Sequence, residues 1–419
     1  DPELTYLINN REMWFIPVVN PDGYIYNEYI EPDGGGMHRK NRLDTGCGNG
    51  TNRGVDLNRN YGYGWGSDNT GSSPNPCSTT YRGESEFSEP ETQAVRDFII
   101  DREFKNVLHY HTYSNIYIHA WGDGSLPDEP DLTTLREIGE EMARHNGYVV
   151  GTGLSTIGYT VNGDAVDWTY GDQDIIAYVP EVGSPSQGFW PSENEVLDLC
   201  TAQLHSNKIF AFVSGPDIVV HSYELTEEFI MPGEEIEMEL IIQNRGLSNS
   251  NGDIEINIEP MNDQISLDTE SYVMSEIDAR DSDDFSFSII VNDNALEGGY
   301  SGIVVDINSD NSISRTDTIH FLIGQPKEFL MLLIVKLNYD YIFCFRSFYI
   351  LKKNILNKVN NAAINFHPGP PEYRGTGCVN YALYKNSKFY GCTAHLINEK
   401  VDNGKIIDIK KFNISKKNS

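Results

Sequence analysis

The sequence predicts an α/β domain, then an antiparallel β-sandwich, then a third and shorter α/β segment. Three observations predict it. Residues 1–213 alternate short apolar, β-branched runs with helical patterns, the signature of a sheet covered by helices on both faces. After "SGPD" (214–217) the texture changes to strict apolar/polar alternation broken by Gly, Asn and Asp turns. Near Pro326 the composition changes again. Of the 31 Lys and Arg and the 62 Asp and Glu in the chain, residues 327–419 hold 15 and 6, a net of +9 that leaves −40 over residues 1–326.

These shifts divide the 419 residues into 1–214, 215–326 and 327–419, each long enough to bury a core of its own. The formal charge of −31 excludes a nucleic-acid binder. No apolar run reaches the roughly 18–20 residues of a membrane helix. "FLMLLIV" (329–335) stops at Lys336 and reads as a core strand. The opening "DPELTYLINN" reads as a truncated or processed end.

Taken in order, "MWFIPVV" (13–19) predicts an apolar strand that ends in the turn "NPDG". "SEPETQAVRDFIIDREF" predicts a helix with Ser88 as N-cap and Glu91 completing a capping box. "NVLHYHT", "IYIHAW" and "IIAYVPEV" read as buried strands, and 192–213 as a closing helix. "IEMELIIQN", "GDIEINIEP", "DFSFSIIVND" and "YSGIVVDINSD" supply the sandwich strands, which carry no convergent chemical groups and read as a spacer or adhesion module. In the third region a strand-like run begins at "YDYIFCF".

Cys47, Cys77 and Cys200 lie in the acidic part; Cys344, Cys378 and Cys392 lie in the basic tail. Cys47 and Cys77 flank Gly/Asn/Ser-rich loops, consistent with a disulfide or with two free thiols.

Region one carries the chemistry. Asn58 and Arg59 in "GVDLNRNY" suit a carboxylate clamp, because a planar guanidinium grips a carboxylate through two donors. "MHRKN" adds Arg39. Glu181 closes an apolar strand, where burial raises a carboxyl pKa and fits it for general-base work. His109 and His111 share one apolar run, where a histidine is a core residue or a metal ligand.

In this order, "NPDGY", "HRKNR", "GVDLNRNY", "PCSTTYRGESEFSEPET", "HYHTYS", "GYTVNGDAVDWTY" and "YVPEVG" resemble the zinc carboxypeptidases of the carboxypeptidase A type. The resemblance covers about residues 1–210 and implies a mixed-sheet α/β fold. It implies His111 as a zinc ligand, Glu181 as general base and Arg39 as the group that polarises the scissile carbonyl. It gives Asn58 and Arg59 the substrate's terminal carboxylate, Tyr159 the role of a cap over the bound residue, and Cys47–Cys77 a disulfide. His109 has no role there and is read as structural. "NGDAVDW" would line the pocket for the terminal side chain, with Val166 deepest and favouring apolar residues, and with Asp164 able to accept Lys or Arg. The family's other two zinc ligands come from a His-x-x-Glu motif upstream of "NPDG", outside this sequence. "HSYE" (His221 to Glu224) has that spacing but lies on a sandwich strand, where positions i and i+3 face opposite ways.

"AAINFHPGPPEYRGTG" and "TAHLINEKVDNGKIID" resemble the folate-dependent formyltransferases over about 338–412. That resemblance implies Asn365, His367 and Asp402 as a catalytic trio, His395 in support, and 10-formyltetrahydrofolate as formyl donor. The expectation for the whole is a zinc metallocarboxypeptidase acting on peptides or proteins with a free C-terminus, without turnover in a chain lacking His-x-x-Glu. A non-catalytic module that binds peptide C-termini and a formyltransferase are the alternatives. The compartments clash, since a disulfide-bearing peptidase belongs outside the cell and a formyltransferase in the cytoplasm. The switch near 326 therefore reads as a join between unrelated sequences.

Overall fold

The computed structural model describes residues 1–227, 230–324, 339–345, 356–357, 359–367, 389–397 and 405–413. The run 329–335 lies outside these residues, as do Cys378 and Asp402.

The first unit is built on a four-stranded mixed sheet of order β1-β4-β2-β3. Its strands are β1 (Asn106–Leu108), β2 (Ile116–Ile118), β3 (Val149–Gly151) and β4 (Ile176–Glu181). β1 runs parallel to β4 and β2 parallel to β3, while β2 and β4 are antiparallel. Eight helices accompany the sheet: α1 (Pro2–Asn10), α2 (Pro21–Ile30), α3 (Pro90–Arg102), α4 (Asp131–Ala143), α5 (Gly153–Thr156), α6 (Ala165–Gly171), α7 (Glu193–Ala202) and α8 (Leu204–Val213).

Pleating sends successive side chains of β4 to opposite faces. Tyr178, with Tyr117 of β2, packs against Leu135, Ile138 and Met142 of α4 and Ile209, Phe210 and Val213 of α8. Ala177 and Val179, with Ile116 and Ile118, pack against Val166 of α6. Each large side chain buried this way contributes about 1.5–3 kcal/mol, so both faces of the sheet are committed.

Three local expectations are corrected. The run 13–19 forms no strand. A strand needs a neighbour for its backbone groups. Here Trp14 packs edge-on against Phe98 of α3, under the Arg102 guanidinium, and Met13, Trp14, Phe15, Ile16, Val18 and Val19 stay 40–81% exposed. The cap of α3 is Glu89, not Ser88, and takes no side-chain cap bond; Ser88 instead donates to Glu89 at 2.7 Å. The closing helix is two helices, broken at Gln203.

The second unit holds two four-stranded antiparallel sheets, β5-β6-β10-β8 and β12-β11-β7-β9. These strands are β5 (Ile218–Leu225), β6 (Glu235–Asn244), β7 (Ile254–Pro260), β8 (Ile265–Leu267), β9 (Ser271–Met274), β10 (Ser282–Val291), β11 (Tyr300–Ser309) and β12 (Arg315–Leu322). Period-two patterning puts Ile236, Met238, Leu240 and Ile242 of β6 and Ile254, Ile256 and Ile258 of β7 into one core shared by both sheets. A register shift between Val220 and Ser222 breaks the alternation of β5, so His221 and Glu224 are both exposed rather than on opposite faces. A fourth sheet orders β13 (Tyr339–Phe345), β14 (Val359–His367), β15 (Phe389–Leu396) and β16 (Ile406–Asn413).

Candidate active site

Beyond β1 the chain keeps following β4. His109 N donates to Tyr178 O and His111 N to Pro180 O, both at 2.9 Å, and Val182 N returns a bond to His111 O at 3.0 Å. His111 thereby bridges to Glu181, the last residue of β4. His109, two residues earlier, meets Thr169 Oγ1 of α6 at 2.9 Å. Burial pulls the His111 imidazole down to about 4, with Arg39 adding to the effect and Asp56 opposing it. Burial pushes the Glu181 carboxyl up to about 7, against the pull of Arg39.

The basic groups come from two loop segments locked together. In residues 38–41, His38 and Lys40 point into the protein and Arg39 points out. His38 is held by Thr51 O and Asn41 O. Lys40 is fully enclosed, and its ammonium donates to the carbonyls of Asn52, Pro76 and Ser78 at 2.7–3.1 Å. Asn41 pairs with Val55 through its backbone N–H and its Oδ1. Gly54 makes that approach possible: a Cβ there would sit 1.9 Å from Asn41 O, at φ +96°. The Cys47–Cys77 disulfide closes the surrounding loop.

Arg39 Nε lies 3.4 Å from Asp56 Oδ2, and the Arg39 side chain is 49% exposed. Asp56 caps the short helical turn Leu57–Arg59. Its Oδ2 is buried and takes no hydrogen bond among the described residues. Asn58 Oδ1 accepts Ala165 N at 3.0 Å, which leaves Nδ2 as the donating end. Arg59 is 5% exposed, with Nε on Gly71 O and Nη1 on Asn58 O.

Tyr159 stands 53% exposed between α5 and α6. Asp164 is buried as the N-cap of α6 and accepts Asp167 N. Burial raises its carboxyl to about 6, against Arg59. Burial, with Asp164 adding to it, also raises the Asp167 carboxyl well above the usual carboxylate range, and Gly122 N donates to both of its oxygens. Val166 is 1% exposed inside the α6-facing core.

In the fourth sheet Asn365 of β14 and His395 of β15 are register partners, with Asn365 Nδ2 and His395 Nε2 3.3 Å apart. His367 pairs with Thr393 in the same ladder; its side chain, like all of Asp402, lies outside the described residues.

Sequence reasoning missed Asp56 and Lys40. Asp56 stands inside the quoted "GVDLNRNY", and its place two residues before Asn58 was the available signal; Lys40 had none beyond adjacency to Arg39.

A catalytic zinc takes three protein ligands and a water. His111 offers one imidazole, and nearby Asp56 Oδ2, which takes no hydrogen bond among the described residues, is already ion-paired with Arg39. No group of three His, Cys, Asp or Glu side chains suited to a metal occurs among the described residues. The described residues do not by themselves complete a zinc site.

Residues 1–206 match the family model for zinc carboxypeptidase, and residues 325–419 match that for formyl transferase. The zinc carboxypeptidase of Simulium vittatum is 30% identical over 249 residues, 51% of this chain and 78% of that protein. Carboxypeptidase B of Astacus astacus is 34% identical over 200 residues, 46% of this chain and 63% of that protein. Among solved structures, the carboxypeptidase A from Helicoverpa armigera is 28% identical over 47% of this chain and 49% of that one, with a TM-score of 0.41. The chain thus spans less than two thirds of the Astacus enzyme and about half of the Helicoverpa one. With the HRKN, GVDLNRNY, HYHTYS and YVPEVG segments converging around Glu181, the chain belongs to the zinc carboxypeptidase family.

Proposed function

We propose that residues 1–214 are the peptide C-terminus site of a metallocarboxypeptidase, and that this chain grips a terminal carboxylate without hydrolysing the bond before it. The observation that carries this reading is the gathering of Arg39, Asn58 and Arg59 around the His111–Glu181 bridge, where His111 is the one imidazole ligand among the described residues. Zinc held by a full ligand set would supply a Lewis acid and a nucleophilic water. Asn58 Nδ2 and the Arg59 guanidinium bind the terminal carboxylate. Arg39, the exposed one of the two arginines, reaches the scissile carbonyl. Glu181 would serve as general base only beside a full zinc ligand set; Tyr159 closes over the ligand, and Asp164 and Val166 set its side-chain preference, apolar first. The disulfide fits an extracellular setting for residues 1–326.

Titration with an N-acylated dipeptide ending in Phe, and with its C-terminal amide, tests the proposal. The acid should bind and the amide should not, Arg39→Ala should weaken the acid at least tenfold, and no Phe should be released. Equal binding of acid and amide would refute it.

A second reading concerns residues 327–419 alone: formyl transfer from 10-formyltetrahydrofolate, with Asn365, His367 and Asp402 as its trio. The Asn365–His395 pair favours it, because an amide beside an imidazole stabilises an oxyanion. Formyl transfer to an amine by the chain, lost in Asn365→Ala, is the test.

A further inference from the structure

The two-sheet unit meets the α/β unit through a buried ionic joint. Asp217 lies between α8 and β5 with its side chain fully enclosed, and it pairs with Arg245 at 2.5 Å and with Arg315. Arg315 also lies over the Phe212 ring of α8, 5.2 Å from its centroid. Arg245 reaches on to Glu141 of α4 at 3.7 Å. Arg280 donates to Thr134 at 3.2 Å, pairs with Glu137, and holds Arg245 O at 2.7 Å. Thr134, Glu137 and Glu141 stand three and four residues apart, on one face of α4. That face therefore receives two arginines from the β unit.

The backbone is fitted as closely as the charges. Leu247 N donates to Val213 O at 2.7 Å and Ser248 Oγ to Ser214 O at 3.0 Å. A Cβ on Gly246 would lie 2.0 Å from Gly215 O. Tyr6 of α1 donates to Asn311 O at 2.9 Å, and Arg11 holds the carbonyls of Ala211, Phe212 and Pro216. Arg280 sits at φ +65°, a left-handed conformation that a side chain adopts at an energetic cost and keeps where its surroundings enforce it.

We propose that the two-sheet unit is a fixed buttress of the α/β unit, docked on α4 and α8 through the network centred on Asp217, so that the two unfold as one body. This goes beyond the peptide-binding reading and does not rest on it. A spacer or adhesion module on a free tether needs none of these contacts. A buried carboxylate that loses its cations, or cations that lose their carboxylate, are strongly unfavourable, so the joint is held shut from both sides.

The test is urea unfolding of the full chain with two readouts. All five tryptophans, Trp14, Trp65, Trp121, Trp168 and Trp190, lie in the α/β unit, so their fluorescence reports that unit alone. Hydrogen exchange of peptides from β6 and β10 reports the other. In the unsubstituted chain the two midpoints should coincide. In Asp217→Ala they should separate, the tryptophan transition moving to lower urea while β6 and β10 keep their protection. Should Asp217→Ala fail to accumulate, Arg280→Gln, whose partner Glu137 is 40% exposed, should give the same separation in milder form. Separate midpoints in the unsubstituted chain would overturn the proposal, as would coincident and unshifted midpoints in the variants.

Discussion

Opening the Cys47–Cys77 disulfide should loosen the α/β unit by an amount that the loop length sets. The two cysteines are 30 residues apart. The loop-closure relation then gives about 12 cal/mol/K, or about 3.6 kcal/mol at 25 °C. That figure is an upper value, because any structure the unfolded chain keeps already restricts the loop. Cys47→Ser/Cys77→Ser is the perturbation, and urea unfolding followed by tryptophan fluorescence is the assay. With a urea slope of about 2 kcal/mol per M, the midpoint should fall by about 1–1.8 M. A fall under about 0.3 M would refute the reasoning, since it would mean that the unfolded chain gains little freedom when the bridge is removed.

Gly54→Ala should unfold or severely destabilise the same region, because its Cβ would overlap Asn41 O at 1.9 Å with φ +96°; a melting temperature within 2–3 °C of the parent, about 1 kcal/mol or less, would contradict the close approach. Lys40→Met isolates one titration. Burial lowers the Lys40 ammonium from its ordinary value to about 8, so between about pH 8 and 10.5 the unfolded chain binds the proton that the folded chain has released. The stability of the parent relative to Lys40→Met should therefore rise over that window, by roughly 3 kcal/mol at most, and a pH-independent difference would sink the assignment. Tyr178→Phe leaves Leu135 O without its 2.6 Å donor and should cost about 1–2 kcal/mol in urea unfolding; no measurable loss would show that carbonyl to be satisfied otherwise.

Period-two patterning was legible in the strands of the second unit, because each of β6, β7, β10 and β11 has one buried face and one wet face. The run 13–19 was misread for a related reason: its apolar residues announce burial on both faces, yet pairing depends on a neighbour that composition does not name. His111 and Glu181 were legible through the order of the family segments, not through spacing, since 69 intervening residues carry no local signal. Arg245, Arg280 and Arg315 were invisible as a group. They lie in separate strands and turns and converge only when the β unit meets α4. Asp56 and Lys40 were missed because a single polar residue in a loop has no periodicity, and its burial is set by segments far along the chain.

The most direct test of the account is the zinc content of the purified full chain after equilibration with zinc and dialysis, measured alongside release of C-terminal Phe from an acylated dipeptide. One imidazole ligand at His111, with no metal-binding trio among the described residues, predicts well under one zinc per chain and no release. One retained zinc per chain, lost in His111→Ala and accompanied by turnover that Glu181→Gln abolishes, would contradict it.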